Sequence, residues 1–453
     1  MQLFNMRKRS SNLALAVALA TGSAVVATAA FPAEAHAQRA KKEKKKKSEA
    51  ASYTEEFIAV YQPLNEGINA EGADVAAFKP QIMQLPALAN SSDEKIAAGG
   101  LIYNSGIKLQ DKGLQLTGME LMLASGKVPP EQVARYNFIA YQLSNGAGDY
   151  AKARNYLQQA IDTNFSTETI SAADLQIAMA ENYFAANELR EGLAFLKNAI
   201  QTRTAQGQDV QEQWYRRGLT VAYNNEVTPE VYDFTSLWIE AFPSAANWRD
   251  AVNLTRNLGS YQPQQLLDLL RLARATDALQ DKNDYILYIE AADARRLPQE
   301  VKSVIETAYA RDAVSRDDIY VADSLTTANG RIASDRADLP SLERDANAAG
   351  AGLRTVVAAA GAFYSYGEYA KAARLYEKAL ELPGVDTAEA TTRLGMSQVG
   401  LGDFAAAQTT FAKVSGARAP IAMLWGAYAS EKAGPSASAS APNLEVVAGA
   451  STQ

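Results

Sequence analysis

The chain has 453 residues, a formal net charge of −7, no cysteine and a single histidine. The lack of cysteine excludes disulfides, thiol nucleophiles and a lipid anchor on cysteine. The histidine is His36, inside a predicted leader, so the mature protein lacks histidine as well. Catalysis by histidine and nearly all structural zinc sites are therefore excluded. We expect no enzyme activity, no bound metal and no cofactor.

Residues 1–37 have the layout of a secretory signal peptide. Basic residues at 7–9 precede an apolar run from Leu13 to Ala30, and a small-x-small cleavage motif ends at Ala37. We expect cleavage after Ala37 and export, most naturally into a bacterial periplasm. The alternative is an uncleaved membrane anchor, because the apolar run approaches the length that spans a bilayer.

The two ends of the mature chain are of low complexity. Residues 38–52 form a predicted basic disordered linker, whose cationic part is Arg39–Lys47, on an otherwise acidic chain. Such a block is either a solvated spacer or a contact with an anionic envelope surface. Nucleic acid is not expected as a partner, because the acidic body would repel it. Residues 433–453, rich in Ser, Ala and Pro, are predicted to be a disordered tail.

From residue 53 to residue 432 the apolar residues recur at helical spacing, which predicts an all-α fold of roughly twenty helices. Capping residues three positions before a glutamate predict helix starts at Ser52, Ser91 and Asp386. Pro340 is expected in the first turn of a helix, where its missing N–H has no cost. Residues 326–338 contain few large apolar side chains and are predicted to be a hinge or a long exposed helix.

Four segments are copies of one pattern. Each begins with a three-residue turn that consists of a small residue or asparagine, an acid and a large apolar residue. Counted from the first residue of the turn, a small residue follows at +5, a large residue at +9 and a small residue at +12. The turns are Gly148-Asp149-Tyr150, Asn187-Glu188-Leu189, Gly367-Glu368-Tyr369 and Gly402-Asp403-Phe404. Self-similarity of this kind is typical of repeat proteins, in which each unit buries its apolar face against its neighbours.

The copies resemble tetratricopeptide repeats. Upstream of each turn the first helix of that family has a large, a small and an aromatic residue, and here Met179-Ala180-Tyr183 and Ala359-Ala360-Phe363 match. The resemblance implies an α-solenoid of stacked antiparallel helix pairs over residues 53–432. The clearest repeats are residues 136–161, 175–200, 354–381 and 389–414. Two further regions, residues 53–128 and 213–349, are predicted to contain degenerate repeats. The last helix, 419–432, is predicted to be the C-terminal cap.

By the same resemblance, the first helices of the repeats line a concave groove that binds a protein or peptide. A cluster of two aromatic residues and an arginine at 214–216 has the composition of an interface hot spot. We expect exposed, partner-binding side chains at these positions: Asn137, Tyr141, Asp174, Ile177, Glu181, Phe184, Trp214, Tyr215, Arg216, Arg354, Val357, Tyr364, Glu389, Arg393 and Met396.

The sequence thus predicts a non-catalytic exported scaffold or adaptor that binds protein partners in the cell envelope. Two alternatives remain open. One is a structural or assembly factor tethered by its basic segment. The other is a polysaccharide-active enzyme that uses carboxylates, which needs two acids converging in a pocket. An open groove favours the scaffold, and a deep acidic pocket favours the enzyme.

Overall fold

The computed structural model describes residues 52–434, and every regular element in that range is a helix. The all-α prediction is therefore confirmed for this part of the chain. The predicted signal peptide, the linker up to residue 51 and the tail from residue 435 lie outside the described residues.

The described chain divides into two compact units, residues 52–210 and residues 211–434, named here the N-terminal and C-terminal units. The N-terminal unit contains α1 (Glu55–Asn69), α2 (Lys79–Ile82), α3 (Leu85–Leu88), α4 (Ser92–Lys108), α5 (Lys112–Ala124), α6 (Pro130–Gly146), α7 (Tyr150–Asp162), α8 (Ala172–Ala185) and α9 (Leu189–Ala205).

The C-terminal unit contains α10 (Glu212–Asn224), α11 (Glu230–Ala241), α12 (Ala245–Leu258), α13 (Pro263–Ala275), α14 (Lys282–Ala292), α15 (Pro298–Ala310), α16 (Ile319–Asn347), α17 (Leu353–Ser365), α18 (Tyr369–Leu380), α19 (Thr387–Gly400), α20 (Phe404–Phe411) and α21 (Ala419–Ala433).

The four predicted turns share one backbone geometry. Gly148, Asn187, Gly367 and Gly402 have φ of 79°, 60°, 78° and 77°, the left-handed region that glycine and asparagine tolerate best. In each turn the N–H of the next residue, an acid, donates to the carbonyl five residues earlier, at 2.9–3.0 Å. That bond caps the C-terminus of the preceding helix. The repeats therefore share a backbone conformation as well as a residue pattern.

The small residues of the pattern allow close helix contacts. A Cβ placed on Gly192 would meet the Phe184 ring at 2.6 Å, and one on Gly395 would meet the Phe411 ring at 2.6 Å. The large residues at +9 are buried in all four copies. The last copy departs from the pattern at +12, where Val414 is half-buried and lies beyond the end of α20.

Two of the three predicted caps are confirmed. Ser91 caps α4, and the carboxylate of its partner Glu94 accepts a hydrogen bond from the Ser91 N–H at 2.8 Å. Asp386 caps α19 through the Glu389 N–H at 2.9 Å.

The prediction of a cap at Ser52 is wrong. The cap of α1 is Thr54, whose hydroxyl accepts from the Phe57 N–H, while the Ser52 N–H donates to Asp93 at 3.0 Å. This long-range contact holds Ser52 away from the helix start.

The placement of Pro340 is also wrong. It lies inside α16, a helix of 29 residues. The proline removes one intrahelical hydrogen bond, at a point where the carbonyl one turn earlier belongs to the exposed Arg336. Of the two possibilities for residues 326–338, the long exposed helix is confirmed. Within 326–338 only Ala328 is buried.

In each unit the helices pack mainly against their neighbours in sequence. In the N-terminal unit α4 packs on α5, α6 on α7 and α8 on α9, and α5–α6 and α7–α8 contacts join these pairs. In the C-terminal unit the sequential contacts run from α10 to α21.

The last helix departs from this order. Besides packing on α20, as a terminal cap should, α21 packs against α11 and α13. Both helices precede it by more than 130 residues. The predicted cap therefore has a second role, because it joins the end of the C-terminal unit to the helices near its beginning.

Candidate functional site

The structure does not expose all of the residues predicted to face a partner. Two of the fifteen are exposed (Arg216 and Arg354), and seven are half-buried: Tyr141, Asp174, Glu181, Phe184, Val357, Tyr364 and Glu389. The other six are buried: Asn137, Ile177, Trp214, Tyr215, Arg393 and Met396. The expected exposure of those six is wrong.

The physical reason is that these positions pack against neighbouring helices. The Tyr215 ring meets the Phe242 ring edge-on at 5.5 Å, so the predicted aromatic hot spot belongs to the core. Of that trio only Arg216 remains exposed, and it pairs with Glu212 at 2.7 Å while lying 4.6 Å above the Trp238 ring. Arg393 is buried for a different reason, its place in an ion cluster described below.

In the N-terminal unit, α6 and α8 present neighbouring faces. The Asn182 side-chain amide donates through Nδ2 to the side-chain oxygen Oδ1 of Asn145 at 2.8 Å, which joins the two helices directly. Burial, with a smaller contribution from the negative Glu181 of α8, raises the pKa of Tyr141 of α6 to about 12. Tyr141 and Glu181, both predicted partner-binding residues, therefore lie near each other.

Arg154 of α7 supports this arrangement. Its guanidinium donates to the side-chain oxygen Oδ1 of Asn182 at 3.0 Å, pairs with Glu188 at 2.8 Å and lies 4.4 Å above the Tyr183 ring. An arginine held by three partners has little freedom to move, and it fixes the orientation of α8 relative to α7. Asn182 is thereby held from two sides, by Arg154 of α7 and by Asn145 of α6.

Beside Tyr141 the face continues into an aromatic group. The Phe138 ring stacks on Phe165 at 4.8 Å and lies 5.7 Å from Tyr141. The side-chain oxygen Oδ1 of the preceding residue, Asn137, is buried with no hydrogen-bond partner among the described residues. We name Tyr141 of α6 together with Asp174, Glu181 and Phe184 of α8 the α6–α8 face. Asp174 accepts from the N–H and the hydroxyl of Ser171, and the Phe184 ring packs close to Gly192 of α9.

In the C-terminal unit, a buried ion cluster has Asp268 of α13 at its centre. Asp268 is fully buried, and arginines from three segments donate to its carboxylate. Arg271 donates at 3.1 Å, Arg393 of α19 at 3.2 Å and Arg418, just before α21, at 2.5 Å. We name these four residues, together with Glu300, the Asp268 cluster.

Glu300 of α15 completes the cluster. Arg271 binds both oxygens of Glu300, each at 2.7 Å, and the Tyr288 hydroxyl donates to the same carboxylate at 2.7 Å. On its other side Arg271 lies 4.6 Å above the ring of Tyr364 of α17. Side chains of α13, α15, α17 and α19 therefore meet at one place.

The charges of the cluster compensate one another. Burial by itself would raise the pKa values of Asp268 and Glu300, but the arginines around them lower both. Burial would likewise lower the pKa of Arg393, and the negative Asp268 raises it. Both carboxylates are consequently ionised and fully engaged, so neither has the raised pKa of a general acid.

Three predicted residues belong to this region: Tyr364, Glu389 and Arg393. Glu389 accepts from Arg393 and lies 3.5 Å from Arg418. The sequence analysis missed Asp268 and Arg271. Their signal was a charged pair, three residues apart, within the otherwise apolar run 266–273 of α13. A charged residue on an apolar face is unfavourable unless a partner covers it.

A small open cleft lies where α21 meets the start of α12 and the end of α13. It has a volume of about 210 Å³, below the usual size of small-molecule sites, and its walls include Trp248, Asp277, Tyr428 and Glu431. The Trp248 indole N–H donates to Glu431 at 3.1 Å, so one wall is a contact that holds α21 in place.

Within residues 52–434 no group of three or more Asp, Glu or His side chains is arranged to hold a metal ion. None of the helices in that range has the length and apolar character of a bilayer-spanning segment. No protein-family model matches the chain, and a search of curated proteins finds no significant relative.

Proposed function

We propose that the protein is a non-catalytic scaffold of the tetratricopeptide type, an α-solenoid that is exported and binds a polypeptide partner in the bacterial cell envelope. The observation that carries this proposal is the direct bond between alternate helices, Asn145 of α6 to Asn182 of α8 at 2.8 Å. Stacked helix pairs bring alternate helices side by side, and their neighbouring side chains then form a continuous surface.

The α6–α8 face is the part of that surface best suited to a partner. Tyr141, Asp174, Glu181 and Phe184 are all half-buried, so each keeps some area accessible to a ligand. Aromatic side chains supply large contact area at low entropic cost, and the two carboxylates favour basic groups. We expect a partner segment with apolar and basic side chains.

The predicted partner-binding residues Tyr364, Glu389 and Arg393 of the C-terminal unit make contacts within the chain instead of facing a partner. Glu389 and Arg393 are engaged by the cluster, and the Tyr364 ring is covered by Arg271. These groups serve contacts within the chain. Among the candidate functions, the polysaccharide-active enzyme has the least support, since Asp268 and Glu300, the most buried acids of this region, are neutralised by arginine.

The test is affinity capture from periplasmic extract with the chain lacking residues 1–37, followed by mass spectrometry. Glu181→Lys reverses one charge on the α6–α8 face. Gln159→Lys introduces the same side chain at an exposed position of α7, with a charge change of one unit instead of two, and serves as the control. We expect a partner that the wild type and Gln159→Lys retain and Glu181→Lys loses. A partner retained equally by all three would refute the assignment of the face.

A second variant separates binding from tethering. Deletion of residues 39–47 removes the basic segment and leaves α6 and α8 unchanged. The scaffold proposal predicts that capture of the partner persists. Loss of envelope association while capture of the partner remains intact would favour the tethered assembly factor.

A further inference from the structure

We propose that the C-terminal unit binds phosphate, as the free ion or as a phosphate monoester, at a site formed by Arg296, Arg393 and Gln264. The site lies at the edge of the Asp268 cluster, where α13 and α19 meet the turn before α15. It is separate from the α6–α8 face, and neither proposal depends on the other.

Two guanidinium groups converge there on one uncharged oxygen. Arg296 donates through Nη2 to Oε1 of Gln264 at 2.5 Å, and Arg393 donates through Nη2 to the same oxygen at 3.1 Å. An amide oxygen accepts both hydrogen bonds, but it supplies no negative charge. Two positive groups therefore share an acceptor that is neutral.

The charges of this region leave Arg296 in excess. The three arginines of the Asp268 cluster face three carboxylates, those of Asp268, Glu300 and Glu389. Arg296 adds a fourth positive charge and forms no salt bridge with any residue of the described range 52–434. The surroundings of Arg296 thus lack one negative charge.

The electrostatic surroundings of Arg296 reflect this excess. Partial burial, and after it the positive charges of Arg393 and Arg271, lower the pKa of Arg296. Asp293 and Glu389 act in the opposite direction with smaller effect. The carboxylate of Asp293 is engaged within its own turn, where it accepts from the main-chain N–H two residues later at 2.9 Å. An anion from solution would supply the missing charge.

The turn before α15 positions Arg296 and leaves its guanidinium accessible. Its main-chain N–H donates to the Asp293 carbonyl at 2.9 Å, and the next residue, Leu297, is buried. Arg296 itself is exposed, and its Nε and Nη1 make no hydrogen bond within residues 52–434. The site therefore offers charged donors that are held in place and available to an oxyanion.

Phosphate matches these donors better than a carboxylate does. The guanidinium fork of Arg296 binds two oxygens of one oxyanion in parallel. A phosphate group has at least three acceptor oxygens and, as a monoester, a charge of about −1.5 to −2 at pH 7. A third oxygen can therefore accept from Nη2 of Arg393, whereas a carboxylate has only two oxygens and one negative charge. The side-chain amide of Gln264 can rotate to donate to the same ligand, so all three residues favour phosphate.

The experiment measures phosphate binding to the full chain by isothermal titration calorimetry, with inorganic phosphate as the probe. Arg296→Gln removes the fork but breaks no salt bridge of the described chain. We expect at least about tenfold weaker binding by this variant than by the wild type, because charge-assisted hydrogen bonds are the strong ones. Arg331→Gln removes the same charge at an exposed position of α16 and should bind phosphate as the wild type does.

Thermal unfolding distinguishes a ligand site from a structural arginine. All four tryptophans lie in the C-terminal unit, so their fluorescence reports its melting temperature. In chloride, Arg296→Gln should melt no lower than the wild type, because it removes a positive charge beside Arg393. Phosphate at equal ionic strength should raise the melting temperatures of the wild type and of Arg331→Gln by more than that of Arg296→Gln.

Gln264→Glu tests the convergence of the two arginines directly. It places a carboxylate between them at nearly constant volume, so it should raise the melting temperature in chloride and abolish phosphate binding. Binding of glycerol 3-phosphate would extend the site to monoesters, and its failure to bind would restrict the site to the free ion. Three results would each overturn the proposal: acetate bound as tightly as phosphate, phosphate bound equally by all variants, or Arg296→Gln melting below the wild type in chloride.

Discussion

Arg393 donates through Nε to both carboxylate oxygens of Asp268, at 3.2 and 3.3 Å, although 125 residues separate the two in sequence. This contact joins α19 to α13 inside the C-terminal unit. In a repeat array, stability comes chiefly from contacts between neighbouring repeats. The Asp268 cluster adds long-range contacts, so the C-terminal unit should unfold as a whole rather than repeat by repeat.

Asp268→Asn tests this link. It leaves the guanidinium groups of Arg271, Arg393 and Arg418 buried without their shared counter-charge, and removing one partner of a buried pair costs about 3–5 kcal/mol. Unfolding in urea can be followed by tryptophan fluorescence. All four tryptophans, at 214, 238, 248 and 425, lie in the C-terminal unit, so the signal reports that unit alone.

Asp281→Asn is the matched control for Asp268→Asn. Asp281 also pairs with an arginine, Arg249, but its side chain is 53% exposed. Exposed pairs contribute about 0–1 kcal/mol, and asparagine retains the capping role of Asp281 at the start of α14. Equal losses of stability in the two variants would contradict the importance of burial at Asp268.

Glu94 should make the N-terminal unit sensitive to acid. Burial by itself would raise its pKa, but hydrogen bonds from the backbone N–H groups of Ser91, Thr54 and Asn90 and from the Thr54 hydroxyl lower the pKa to about 2. A carboxyl whose pKa is depressed in the folded state stabilises that state above its unfolded pKa. The contribution disappears as pH falls through the folded value.

Glu94→Gln should therefore lower the free energy of unfolding by about 3 kcal/mol at pH 7, and the difference from the wild type should shrink between about pH 5 and pH 2. Circular dichroism during urea unfolding measures it, because the N-terminal unit contains no tryptophan. A difference that does not change with pH would mean that the lost stability arises from packing rather than ionisation.

Gly192→Ala tests the close helix contacts of the repeat pattern. The added methyl group would lie 2.6 Å from the Phe184 ring and 2.9 Å from the Tyr183 Cβ, and overpacking of this kind costs about 1–3 kcal/mol. Gly100→Ala in α4 has no atom within 4 Å of the new Cβ and should stabilise the unit by about 0.5–1 kcal/mol. In thermal unfolding, the melting temperature should fall for Gly192→Ala and rise for Gly100→Ala, each relative to the wild type.

The Asn145–Asn182 bond between α6 and α8 can be measured by a double-mutant cycle with alanine at each position. We expect a coupling free energy of about 0.5–1.5 kcal/mol, the usual contribution of one hydrogen bond. Arg154 also binds Asn182, so Asn182→Ala alone should cost more than Asn145→Ala alone. A coupling near zero would mean that the two helices are aligned by other contacts.

The sequence predicted local features of this protein well. The turns at Gly148, Asn187, Gly367 and Gly402 were recognisable because a left-handed backbone strongly restricts the residues that it accepts. The caps at Ser91 and Asp386 were likewise visible, since each satisfies donors within three residues. The cap at Thr54 was missed because a distant partner, Asp93, holds Ser52.

The candidate sites depended much more on tertiary structure. The resemblance to tetratricopeptide repeats placed Tyr364, Glu389 and Arg393 on first helices but could not show that the chain itself would cover them. The position of α21 was equally hidden, because its contacts with Asp268 and Trp248 span 157 and 183 residues. The residue pattern determined the helices and the turns between them, since those depend on neighbours within a few residues. Which helices meet across the C-terminal unit was decided only by the packed structure, where buried charges must find partners however far apart they lie in the chain.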